Sequence, residues 1–82
     1  MARITERQQQ EIKEIILDSY YLGEIDDIED KSNLFDDLGF DDLDFVELVI
    51  DLENHFDITI SDSDWENVKT VEMVFTAVDN CL

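Results

Sequence analysis

The chain has no proline, a single cysteine, two glycines and only five basic residues among its 82. Without proline, nothing breaks a helix from within. With only Cys81, no internal disulfide forms. That residue, beside the C-terminal leucine, reads as a small, partly buried apolar side chain rather than a nucleophile. No apolar run approaches the roughly 18 residues needed to span a bilayer. The polar N-terminus lacks a signal-peptide pattern. No membrane insertion and a cytoplasmic location are therefore expected. The five basic residues face 23 acidic ones, giving a net charge of −18. Such a charge argues against nucleic acid and anionic lipid as partners, since both are polyanions. Basic protein surfaces or divalent cations suit it better.

Hydrophobic residues make up 44% of the chain, too many for a disordered acidic tail. A chain this short buries only roughly 60–65% of the surface its unfolded form exposes. One thin-cored domain over residues 1–82 is expected, as a monomer. Its opening at Met1 suggests a domain that stands alone. There is no internal repeat and no linker.

Apolar periodicity predicts helices. Thr5-Glu6-Arg7-Gln8 has capping-box spacing. Ile12, Ile15, Ile16 and Tyr20 follow at helical spacing, and Gly23 is the expected stop. A long connection runs from 24 to 40, opening with five acids between Glu24 and Asp30. Ile25, Ile28, Leu34, Phe35 and Leu38 should tack it to the core, with a helical turn near Ser32 to Leu38. Gly39 suits a turn with positive φ. A second helix is expected from about Asp41 to about His55. At 100° per residue, Phe45, Leu48, Val49, Leu52 and Phe56 form one stripe. Leu43, Val46 and Ile50 form another, with Asp44, Glu47 and Asp51 beside it. One apolar face is enough to pack a helix. The second stripe is either further burial or an acid-rimmed docking surface, and the small size of the domain favours docking. Ser61 to Val68 reads as a short third helix capped by Ser61. Thr70 caps a fourth, with Val71, Val74, Phe75, Val78 and Leu82 on one face. Ile58-Thr59-Ile60 is too short for a sheet. The fold class is all-α: a four-helix bundle with a long first loop and a short third helix.

Enzymatic chemistry has little footing here. His55 is the only histidine and falls at a helix end, so it reads as a surface residue. Carboxylates abound, but acid–base catalysis needs one in a pKa-shifting pocket. No Gly-rich phosphate loop and no Cys/His zinc cluster occur. The EF-hand pattern fails too: counted from Asp26, position 3 is Ile28; counted from Asp62, position 6 is Asn67 and position 12 is Met73. No dedicated metal site is expected. Loose divalent binding by Asp36, Asp37, Asp41 and Glu47 is compatible with the pattern.

One segment is more specific. Leu38-Gly39, Asp41-x-Leu43-Asp44 and Val46-Glu47-Leu48-Val49 resemble the attachment signature of acyl carrier proteins. Leu52-Glu53, Phe56, Ile58-x-Ile60 with the acidic short helix after it, and Thr70-Val71 extend the resemblance over nearly the whole chain. It implies a phosphopantetheine arm carrying acyl intermediates of fatty-acid or polyketide synthesis. It also implies phosphopantetheinyl transferase and basic patches of synthesis enzymes as partners, and no enzyme activity. By the resemblance, Asp41, Asp44, Glu47 and Glu53 are the electrostatic recognition set, and Leu43, Val46 and Ile50 the apolar docking contacts. Phe45, Leu48, Leu52 and Phe56 are the residues lining an acyl pocket. Phe45 is larger than the residue the family often has, so its ring either fills that space or is an ordinary core aromatic.

Asp42 departs from the pattern. It stands where the family carries its modified serine. A carboxylate attacking coenzyme A would give a labile mixed anhydride, not a stable phosphodiester. No covalent phosphopantetheine is expected on this chain. As an acid in a first helical turn, Asp42 suits its place by about 0.3–1 kcal/mol. Two origins are open: a laboratory replacement giving an unmodifiable form, or a natural member that has left carrier work. The competing function is a non-carrier acidic protein docking basic partners through the second helix. A nucleic-acid mimic fits the charge but leaves the signature unexplained.

Overall fold

The computed structural model describes residues 4–20 and 28–82, with the side chains of 18–20 left aside. Among the described residues, four helices follow in order: α1 (Glu6–Tyr20), α2 (Asp42–Phe56), α3 (Asp62–Trp65) and α4 (Val71–Cys81). Among the described residues there is no strand, only an isolated bridge between Asn33 and Thr70. The expected Gly23 stop, Ile25 and the acidic run up to Asp27 lie outside the described residues, as does the side chain of Tyr20.

Each helix is fixed first by local chemistry. At α1, Gln8 N–H donates to the Thr5 hydroxyl at 3.1 Å and Thr5 N–H to the Gln8 amide oxygen at 2.9 Å. This is the reciprocal box read from the sequence. At α4, the Thr70 hydroxyl accepts from Met73 N–H at 3.3 Å. Two further first-turn amides of α4 donate to the long connection: Val71 N–H to Ser32 O at 3.1 Å and Glu72 N–H to Asp30 O at 2.8 Å. The connection thereby satisfies donors that a helix start leaves open. α2 ends at Asp57, which takes the left-handed conformation at φ 54°. α3 is shorter than expected, four residues rather than Ser61 to Val68. Ser61 sits at its N-cap position, but its hydroxyl bonds to Ser63 and Asp64 side chains rather than to the backbone. Val68 N–H closes a tight turn on Trp65 O at 3.0 Å, and both side chains are buried.

The stripes meet in one core. Ile12 and Ile16 of α1, Leu48 and Leu52 of α2 and Val71, Val74 and Val78 of α4 are fully buried. From the connection, Ile28, Leu34, Leu38 and Phe40 join them. The predicted turn is present: Asn33 O accepts from Asp37 and Leu38 N–H, while the Asn33 side-chain oxygen accepts from Phe35 and Asp36 N–H. Asn33, which bonds around its own turn, thus carries the local geometry, and apolar anchors on either side hold it to the bundle.

Candidate functional site

The site is built around the start of α2. Gly39 turns the chain at φ 79°. Phe40 is buried and donates its N–H to Leu34 O at 2.9 Å, which fixes where the helix can begin. Asp41 is the N-cap. Its carboxylate accepts from Asp44 N–H at 2.8 Å, and Asp44 returns the bond from its own carboxylate to Asp41 N–H at 3.2 Å. Asp42 follows as the first helical residue, exposed, with no hydrogen bond or ion pair to its side chain among the described residues. The backbone here is a well-formed helix start, a geometry that favours anions. The side chain does not fit covalent phosphopantetheine, because a carboxylate forms no stable phosphodiester.

Along α2 the two stripes separate. Leu43, Val46 and Ile50 are 67%, 52% and 50% exposed. Glu47 is exposed beside them, and Asp44 and Asp51 are half-buried. Glu53 differs from the other acids of the recognition set. Its half-buried carboxylate accepts from Ile60 N–H at 2.9 Å and ties α2 to the segment entering α3. Leu48 and Leu52 are sealed in the core, while Phe56 is half-buried at the far end of α2, edge-to-face with His55. Phe45 lines a groove of about 750 Å³ between α2 and α3.

That groove holds residues for which the sequence reading found no role. Phe45 meets Phe35 at 5.6 Å between centroids and Trp65 at 5.6 Å in an edge-to-face pair. Asp42, Asp62, Glu66 and Lys69 complete its lining together with Val46, Val49, Ile50 and Val68. Trp65 is 6% exposed, and its indole N–H lacks an acceptor among the described residues. One signal was available: Trp65 and Val68 lie three apart in a segment read as helical.

The remaining candidates resolve simply. His55 is exposed, its Nε2 lying 3.1 Å from Glu11. Among the described residues no three His, Cys, Asp or Glu side chains converge on an ion position. Asp37 instead accepts from Asn33 N–H at 2.7 Å. Cys81 is half-buried, and its thiol is held above its ordinary value by burial first, then by the negative charges of Asp64 and Glu53. No described helix is long and apolar enough to cross a membrane.

Comparison with known proteins agrees with this architecture. A family profile described as "Phosphopantetheine attachment site" matches residues 10–78. An acyl carrier protein of Chlorobium phaeobacteroides is 51% identical over 47 residues, which are 57% of this chain and 60% of that protein. The chain thus aligns with somewhat under two thirds of that relative's length. Among solved structures, a candidate acyl carrier protein from Mycobacterium tuberculosis superposes with a TM-score of 0.65 at 39% identity, covering 85% of this chain and 93% of the other. The helical order, the built N-terminus of α2 and these likenesses together place the chain in the acyl carrier protein family, whose prosthetic group is phosphopantetheine.

Proposed function

We propose that this chain is a carrier-type domain that keeps the docking face of α2 and lacks covalent attachment at Asp42. The observation that carries this reading is Asp42 itself. It occupies the first helical position behind an intact Asp41–Asp44 cap, where the family's signature carries serine. The partners of the reading are basic patches on fatty-acid or polyketide synthesis enzymes. They meet Asp41, Asp44 and Glu47 by charge and Leu43, Val46 and Ile50 by contact, with Glu53 at the margin. Opposite charges steer such encounters and set their register. The domain catalyses nothing itself and works as a cytoplasmic monomer. Phe45, with Leu48, Leu52 and Phe56 behind it, belongs to the acyl-facing side of the scaffold.

The test is Asp42→Ser. Both forms are incubated with coenzyme A and a phosphopantetheinyl transferase, and intact masses are read. Gain of the arm by the serine form alone supports a carrier scaffold with a blocked site. Gain by neither overturns the carrier reading. A second reading has one observation in its favour: three large apolar side chains stand exposed on a face that needs no prosthetic arm to bind. On that reading the chain is a non-carrier protein that docks basic partners. It predicts that Asp42→Ser leaves partner affinity unchanged.

A further inference from the structure

We propose that Met73 is a methionine-oxidation site whose sulfoxide tightens the start of α4. Met73 is the third residue of that helix, behind the Thr70 cap. Its Sδ accepts a hydrogen bond from Lys69 N–H at 3.4 Å, while its own N–H donates to the Thr70 hydroxyl at 3.3 Å. The arrangement resembles a capping box in which a thioether replaces the Glu or Gln oxygen. It also serves the residue before the cap rather than the cap itself. A thioether is a weak acceptor, so the Lys69 amide is poorly satisfied. Yet Lys69 is a joint of the fold. Its carbonyl accepts from Leu34 N–H at 2.8 Å and ties the long connection to the entrance of α4. Met73 is 45% exposed and borders a hollow of about 290 Å³ beside α4, together with Asn67, Thr76 and Asn80. A hydroperoxide therefore reaches the sulfur without any opening of the helix. The sulfur attacks the terminal peroxide oxygen and gives up two electrons. The S–O bond forms, the O–O bond breaks, and the proton of the transferred oxygen passes to the departing one, which leaves as water or an alcohol. The sulfoxide oxygen is a much stronger acceptor than the thioether. Rotation about the Cγ–Sδ bond, free in an exposed side chain, brings it to Lys69 N–H. Oxidation of a core methionine disrupts packing. Here the new polarity meets solvent, polar neighbours and a donor in need of an acceptor.

The parent chain and Met73→Leu are treated with hydrogen peroxide and then with dithiothreitol, which reverses sulfenic acid or disulfide at Cys81 and leaves sulfoxides in place. The chain has one other methionine, Met1, present in both forms. The difference between the two forms therefore belongs to Met73. Peptide masses locate the added oxygen. Oxidation should raise the Tm of the parent by roughly 2–4 °C. The Lys69 amide resonance should move downfield and its exchange with solvent should slow. Met73→Leu should show neither change. Methionine sulfoxide reductases for both epimers should return the parent to its starting Tm. Met73→Gln, which carries an amide oxygen at the same place, should melt above the untreated parent and be indifferent to peroxide. A Tm that falls or stays level on oxidation overturns the proposal and leaves Met73 an ordinary exposed methionine. So does a Lys69 amide that does not move, whatever the Tm does, and so does a Met73 that gains no oxygen. None of these outcomes bears on whether Asp42→Ser accepts an arm, so the two readings fail separately.

Discussion

Asp41 and Asp44 cap each other at the head of α2, each carboxylate accepting the other's backbone N–H at 2.8 and 3.2 Å. Two like charges are thereby held together because each satisfies a helix donor that would otherwise be open. Asp41→Ala should cost about 1 kcal/mol, lowering Tm by roughly 4–8 °C in a domain of this size. Asp41→Ser, which can still cap, should recover most of the loss although it removes the same charge. If Ala and Ser melt alike in a circular-dichroism scan, the cap is not what stabilises this end.

The two stripes of α2 make opposite predictions. Leu48 is fully buried, so Leu48→Ala should cost about 2–5 kcal/mol. Against a total of the order of 5–15 kcal/mol, that is enough to leave the domain largely unfolded in the less stable part of the range. Leu43 is exposed, and Leu43→Ala should stay within about 0.5 kcal/mol of the parent. Urea unfolding of both variants decides it, and equal midpoints would contradict the assignment of core and surface.

Backbone handedness gives a paired test. Gly39 has φ 79°, and a Cβ built there meets nothing within 4 Å, so Gly39→Ala has only conformational strain to bear. The left-handed region disfavours an L side chain by about 1–2 kcal/mol, and Gly39→Ala should be destabilised by that order. Asp57 holds φ 54° with a side chain already present. Asp57→Gly should therefore be neutral or slightly stabilising. Chemical denaturation that showed the opposite order would contradict the handedness of these two turns.

The legible part of this fold is the part governed by side-chain periodicity. The stripes Ile12–Ile16, Leu48–Leu52 and Val71–Val78 repeat at helical spacing and became the core. The Thr5–Gln8 cap has the signature residues at the signature spacing. Its counterpart Asp41–Asp44 has Asp where that signature has Glu or Gln, so the spacing was present but the residue type concealed it. Docking of the connection on α4 ran through main-chain donors of Val71 and Glu72, which any residue supplies and no pattern reveals. α3 was read too long because Asp64, Trp65 and Val68 are as compatible with a helix as with a turn. The groove was hidden for a different reason. Phe35, Phe45 and Trp65 are ten and twenty residues apart on three separate elements, and only tertiary packing brings their rings together.

Cys81 allows a pH test with a definite sign. Burial and two nearby carboxylates raise its thiol pKa above the ordinary 9.0, meaning that the folded state holds the proton more tightly than the unfolded one. The corresponding stability is fully present below the unfolded pKa and is lost as pH rises through the folded one. Since the thiolate is the reactive form, alkylation near pH 8.5 should be slower for the native chain than in urea. The native rate profile should also turn up at higher pH. A native rate equal to the denatured rate would contradict the half-buried, acid-flanked placement.

Charge sets the last prediction. Among the described residues, ion pairs join Arg7 to Glu11 and Lys13 to Asp30, and most carboxylates face no lysine or arginine. The compact state gathers these charges closer together than the unfolded chain does, so repulsion opposes folding. Raising ionic strength from about 0.01 M to 0.15 M shortens the screening length from roughly 30 Å to 8 Å. The helices are that close to one another, so repulsion across the bundle should weaken and Tm should rise with NaCl. With no clustered ion site among the described residues, Mg²⁺ should act by the same screening, with a graded rise and no saturation at low concentration. A Tm that does not change with salt would show that the −18 charge is already accommodated in the fold. A sharp, saturable Mg²⁺ response would instead reveal a specific site.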